Sequence, residues 1–158
     1  MLPEYAVFTL SGADSKAGGM AGKAHNSAIT GDSTQTNVEN LLITGTDTAA
    51  NLIAGGVVGH LTEGSLNNLY GELVKLTVKG PQSTAGGLAG YNRGLAGYGE
   101  DGHAQVVRGN YLKELTINLA ATAASSTTGG LIGINDERTD EDSEVNIASA
   151  VSSIGSSR

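Results

Sequence analysis

Apolar residues along this chain fall in short clusters separated by Gly, Asn, Asp and Ser, and the clusters recur in a constant order. Four segments align on one motif: Ala17-Gly18-Gly19-Met20-Ala21-Gly22, Ala54-Gly55-Gly56-Val57-Val58-Gly59, Ala85-Gly86-Gly87-Leu88-Ala89-Gly90 and Thr128-Gly129-Gly130-Leu131-Ile132-Gly133. The first glycines stand at 18, 55, 86 and 129, so the intervals are 37, 31 and 43 residues. A constant motif at variable spacing points to insertions in loops of a repeat protein. A weaker apolar element follows each motif: Ala28-Ile29, Ser65 to Leu69, Gln105 to Val107 and Glu144 to Ile147. After it comes apolar-x-x-apolar-x-apolar, in Val38 to Ile43, Leu73 to Val78 and Leu112 to Ile117. Its closing alternation has the period of a strand with one buried face.

Each module thus predicts three short strands joined by turns. One such coil cannot bury its apolar side chains alone, whereas coils stacked at about 4.8 Å pair each strand with its counterpart. The predicted fold is all-β, a parallel β-helix or β-solenoid of about four coils with three strands per coil. It forms one domain over 1–158, with a partial module at 1–16 and modules at 17–53, 54–84, 85–127 and 128–158. The expected ladders are Met20, Val57, Leu88 and Leu131; Leu41, Leu76 and Leu115; and Ile43, Val78 and Ile117. An antiparallel sandwich is allowed by the strand count and disfavoured by the triple repeat order. The motif pairs Gly18-Gly19, Gly55-Gly56, Gly86-Gly87 and Gly129-Gly130 are expected to be structural, giving left-handed backbone, a tight corner and close approach of coils. The residue after the apolar one is itself apolar (Ala21, Val58, Ala89, Ile132). Either a corner keeps two successive residues inward, or an apolar stripe docks a neighbour. The match of Phe8 to Gly12 with the end of the long element places the start of the chain inside a coil. Without an amphipathic capping helix, a fragment of a longer surface protein is expected in preference to a self-capped domain.

Composition agrees with a core of stacked aliphatic rows. Gly is 24 of 158 residues, Trp is absent, and one Phe with five Tyr cannot build an aromatic core. Two prolines argue against a Pro-rich stalk. A net charge of −7 repels phosphate backbones and anionic lipid, so neither nucleic acid nor membrane insertion is expected. There is no Cys, hence no disulfide framework.

At the aligned glycines the sequence resembles the GLUG motif, a glycine-rich repeat of bacterial surface proteins such as adhesins and IgA-cleaving peptidases. The second module is the nearest to it: Gly55-Gly56-Val57-Val58-Gly59, then Gly64-Ser65-Leu66-Asn67-Asn68, then Gly71-Glu72-Leu73. The resemblance covers about residues 17 to 155. It implies a secreted, extracellular protein of the bacterial cell surface in which the repeat is scaffold or adhesive stalk. Catalysis, where present, would sit in a separate domain of the parent protein.

No zinc-protease, phosphate-loop, nucleophile-elbow or EF-hand pattern occurs. His25, His60 and His103 fall 6, 4 and 16 residues after the second glycines, and no metal cluster is expected from them. Two insertions stand out, 91–103 and 135–143, and both follow the same strand of adjacent coils. In the first, Tyr91, Asn92, Arg93, Tyr98, Glu100, Asp101 and His103 suit stacking on and hydrogen bonding to a sugar or protein. In the second, Asp136, Asp140 and Asp142 could bind Ca2+ loosely. No other cofactor is expected. Exposed strand positions carry Thr, Asn, Lys and Glu singly, which does not build the carboxylate cleft of a β-helix polysaccharide lyase or hydrolase. The leading expectation is a non-enzymatic scaffold or adhesion segment whose partners are neighbouring domains of its own chain. The alternative is a carbohydrate- or host-protein-binding module using the 91–103 and 135–143 edge.

Overall fold

The computed structural model describes residues 4–32, 34–95, 106–138 and 146–148. Sixteen strands form four parallel sheets, and the described residues contain no helix. Sheet 1 holds β1 (Ala6–Leu10), β5 (Val38–Gly45), β9 (Tyr70–Val78) and β13 (Tyr111–Leu119). Sheet 2 holds β2 (Lys16–Gly18), β6 (Ile53–Gly55), β10 (Thr84–Gly86) and β14 (Thr127–Gly129). Sheet 3 holds β3 (Ala21–His25), β7 (Val58–Thr62), β11 (Ala89–Leu95) and β15 (Ile132–Arg138). Sheet 4 holds β4 (Ala28–Thr30), β8 (Ser65–Asn67), β12 (Val106–Arg108) and β16 (Asn146–Ala148). The chain visits the four sheets in turn and adds one parallel strand to each on every pass. This stacking is consistent with the expected solenoid.

Each pass contains four strands where the sequence pattern predicts three. The residues ahead of the first motif glycine, such as Ile53-Ala54, form a strand of their own that the glycine ends. The second glycine and the next residue turn the corner, and the following strand opens on the residue after that. Three-residue strands are too short to show a period, which is why sheet 2 is hidden in the sequence. The corner also explains the doubled apolar positions. Val57 and Val58 are both buried, as are Leu88 and Ala89, so two successive side chains face inward across the bend.

The motif glycines act through space and not through backbone handedness. Gly109 is the described glycine with a left-handed backbone (φ 64), and no motif glycine shares it. A Cβ on Gly87 would run into the carbonyl of Gly130 and lie 2.5 Å from Leu112 Cδ1. The same overlap links Gly56 to the carbonyl of Gly87. A column of second glycines therefore lets successive rungs close at the corner.

The expected column through Met20, Val57, Leu88 and Leu131 is present, with Val57 N donating to Leu88 O and Leu88 N to Leu131 O. The long strands pair two residues away from the expected register. Leu41 and Leu115 both pair with Val74, while Ile43 and Ile117 both pair with Leu76. Leu76 and Leu115 do not face each other. A shift of two preserves the inward face, so the same residues fill the core. The expected alignment sets Leu73 beside Val38 and Leu112, but Gly71 holds that position and Leu73 (φ 54) falls instead in a bulge-like column with Asn40 (φ 50) and Glu114 (φ 57).

Left-handed residues also mark the corners. Asp14, Asn51, Gln82 and Ser125 form one column, two positions ahead of the sheet 2 strands. Their amides pair onward: Asp14 N donates to Ala50 O, Asn51 N to Pro81 O and Gln82 N to Ala124 O. Two interior polar side chains close further turns. Ser83 Oγ accepts from Leu52 N, and Asn110 accepts from Leu69 N while donating to Leu66 O. Both are almost fully buried, so these bonds satisfy corner amides that water cannot reach.

Candidate functional site

Strand alternation turns every second residue of sheet 3 outward. The register aligns Lys23, His60, Tyr91 and Ile134 in one row across β3, β7, β11 and β15. A second row aligns His25, Thr62, Arg93 and Asp136. Between them runs the inward row of Ala24, Leu61 and Asn92, of which Leu61 and Asn92 are fully buried. Exposed Lys16 on β2 adjoins this face across the corner. There the Cβ that Gly59 lacks would fall 2.8 Å from Ala17 N.

His60 is the centre of the face. Its ring meets Tyr91 edge-on, with centroids 4.9 Å apart and planes at 72°. Its Nε2 lies 3.2 Å from Thr62 Oγ1, and its Nδ1 is buried without a hydrogen-bond partner. Burial lowers its pKa from the usual 6.5, and the nearby charges of Lys16, Lys23 and Arg93 lower it further. The imidazole is therefore neutral near pH 7, and three cations act on one point of a chain whose net charge is −7. On the rim, His25 Nε2 lies 3.9 Å from Glu63 Oε2.

Of the residues expected to bind, Tyr91 and Arg93 lie on this face, half-buried and exposed respectively. Asn92 does not: it occupies the interior row and its side chain is unavailable to an outside ligand. Residues 91–95 and 135–138, expected as the starts of loops, are strand, with Asn92 paired to Asn135 and Arg93 to Asp136. Both insertions consequently leave from the ends of neighbouring strands. Tyr98, Glu100, Asp101 and His103 lie outside the described residues, as do Asp140 and Asp142 of the proposed calcium loop. Asp136 is placed only by its backbone register in β15. Among the described residues there is no group of three or more His, Cys, Asp or Glu able to hold a metal ion. No described helix is long and apolar enough to cross a membrane.

Lys16, Lys23 and His60 are absent from the sequence-based candidates. Their signal was present: Lys23, His60 and Tyr91 all stand four residues after the second motif glycine, and His25, Thr62 and Arg93 all stand six after it. Comparing histidines with one another concealed it, because the row mixes residue types. A separate open groove of about 340 Å³ lies on the outer side of sheet 1, between Tyr5, Leu42, Leu73, Lys75, Glu114 and Thr116. It follows the bulge column and contains none of the predicted site residues. No protein-family model, curated protein or solved structure matches the chain.

Proposed function

We propose that the chain is a β-solenoid of four rungs that serves as a non-enzymatic scaffold or adhesion segment of a bacterial cell-surface protein. The supporting observation is the stacking itself: each of four parallel sheets receives one strand per module, in module order. Such an architecture devotes its interior to rung-on-rung contact and offers its outer faces and inserted loops to partners. The resemblance of the Gly-Gly corners to GLUG repeats supports a surface location and neighbouring domains of the parent chain as the first partners. Protease shaving of intact source cells, followed by detection of the released solenoid, tests the location. Protection until lysis refutes it. Turnover of uronic-acid polysaccharides by the purified chain would refute the non-enzymatic reading.

A second reading, a carbohydrate- or host-protein-binding module, is favoured by one observation. The register brings Lys23, His60, Tyr91 and Arg93 onto a single outward face, next to the points where both insertions leave. This moves the expected site from the loops onto the strands that carry them. A glycan and host-protein screen of the wild type against Tyr91→Ala tests it, and binding unaffected by the substitution removes the face from consideration.

A further inference from the structure

We infer that the outer face of sheet 3 across β3, β7 and β11, with Lys16 beside it, is a docking surface for an acidic polysaccharide. This rests on the binding-module reading above and specifies its ligand class and site. The chain carries 16 acidic and 9 basic residues, yet Lys16, Lys23 and Arg93 are all near enough to act on His60. His25 lies in the same outward row as Arg93. Glu63 lies at the rim against His25, and Asp14 stands beside Lys16, whose Nζ donates to Asp14 O at 3.2 Å, so the cationic area centres on Lys23 and Arg93. Asp136 and Glu137 hold the next register positions beyond Arg93 and Gly94, so the cationic area ends at β11. An anionic ligand is thus favoured over a defined area on a surface that repels it elsewhere.

The shape of the face suits a polymer. The face is an open sheet and not a closed pocket. Strands stack at about 4.8 Å and alternate residues stand about 6.6 Å apart, so Lys23 and Arg93 are separated by about 12 Å at the backbone. Cations at that separation match a chain with an acidic group on successive units better than a single small anion.

A peptide strand cannot pair across this face. The backbone of β7 is committed to β3 and β11, and that of β11 to β7 and β15, so among these three strands addition is left only to the outer edge of β3, an end strand of the sheet, and not to the face itself. Recognition must come from side chains: ammonium and guanidinium groups for carboxylate or sulfate, Thr62 and His60 for hydroxyls, and the Tyr91 ring for the C–H side of a sugar.

The test measures retention of the purified chain on immobilised heparin, polygalacturonate, neutral dextran and duplex DNA over a salt gradient. Three proteins are compared: wild type, Lys23→Glu/Arg93→Glu, and Lys75→Glu/Lys79→Glu, a control with the same charge change on residues outside the face. Far-ultraviolet spectra and melting curves confirm that all three fold. The expected result is salt-sensitive binding of the wild type to a polyanionic glycan and not to dextran. The first variant should weaken it at least tenfold and the control less than threefold. Preference for heparin identifies sulfate as the group read, and preference for polygalacturonate identifies carboxylate. Equal losses in both variants, or DNA bound as tightly as either glycan, overturns the inference. Dextran bound by the wild type as tightly as either polyanion also overturns it while leaving the binding-module reading standing. Absence of binding to every glycan and to host proteins removes both.

Discussion

Replacing Gly87 with alanine adds a single methyl group at the most crowded point of the corner. That methyl would overlap the carbonyl of Gly130 and stand 2.5 Å from Leu112 Cδ1 and 2.7 Å from Leu115 Cδ2. The two leucines can yield by changing rotamer, but the carbonyl belongs to the next rung and can move only with it. Inserting a methylene into a packed core costs about 1–3 kcal/mol. Alanine also narrows the unfolded ensemble, which stabilises by about 0.4–1 kcal/mol. The net expectation is a loss of about 1–2 kcal/mol, or roughly 2–8 °C in Tm for a chain of this size. Denaturant titration followed by far-ultraviolet circular dichroism, with a thermal melt in parallel, measures it. Gly12→Ala is the matched control. A Cβ there would meet only Ser15 Oγ, at 3.4 Å, so the entropic gain should leave it neutral or slightly stabilised. Gly87→Ala at or above wild-type stability would refute the rung-closure argument. A loss as large in Gly12→Ala would show that the effect comes from removing glycine and not from the stacked corner.

Asn110→Leu keeps the number of side-chain heavy atoms and deletes both bonds, leaving Leu69 N buried without that acceptor. A loss of about 2–4 kcal/mol is expected in the same titration, and a loss under 1 kcal/mol would mean that the turn opens to water. Glu114→Asn puts a residue tolerant of left-handed backbone at an exposed site with φ 57, and should raise stability by about 0.5–1 kcal/mol. A decrease there would show that Glu114 holds a contact worth more than the strain. His60 has a folded pKa below its unfolded 6.5, so below that pH the unfolded chain takes up a proton that the folded chain refuses. Its contribution is present above pH 6.5 and is lost as pH falls from 6.5 toward the lowered value. Stability profiles from pH 8 to 4 should therefore decline less steeply for His60→Gln than for wild type, and superimposable slopes would contradict the assignment.

The pattern of sequence signals explains what could be read in advance. The Gly-Gly corners aligned correctly because the crowding at each admits one residue type, so composition and geometry coincide there. The sheet 4 strands were also visible, since Ile29 and Leu66 face inward between turn residues. Sheet 1 was misregistered because Asn40, Leu73 and Glu114 share a left-handed backbone while sharing no chemistry. A leucine in that conformation gives no sign of itself in a one-dimensional pattern. On the candidate face, Tyr91 and Arg93 were identified as sugar- or protein-binding types, whereas Asn92 was misjudged because a polar residue in an inward row looks like a polar residue in a loop. His60 gives no signal when the histidines are compared with one another, because its neighbours in space, Lys23 and Tyr91, are 37 and 31 positions away.

The columns of left-handed residues also bear on how the chain folds. Asn26, Asn40 and Asn51, all in the 17–53 module, favour that backbone by themselves, whereas Glu63, Leu73 and Gln82 in the next module and Glu114 and Ser125 beyond it do not. The latter adopt it while their rungs are paired to rungs already in that shape, so the conformation passes from one layer to the next as a template passes its form to a copy. Folding should then begin around the 17–53 module, where intrinsic preference and pairing agree, and spread from there. A chain folding in this way would first lose the layers furthest from that seed under load. Its response to pulling would be a series of small steps, one for each layer peeled away.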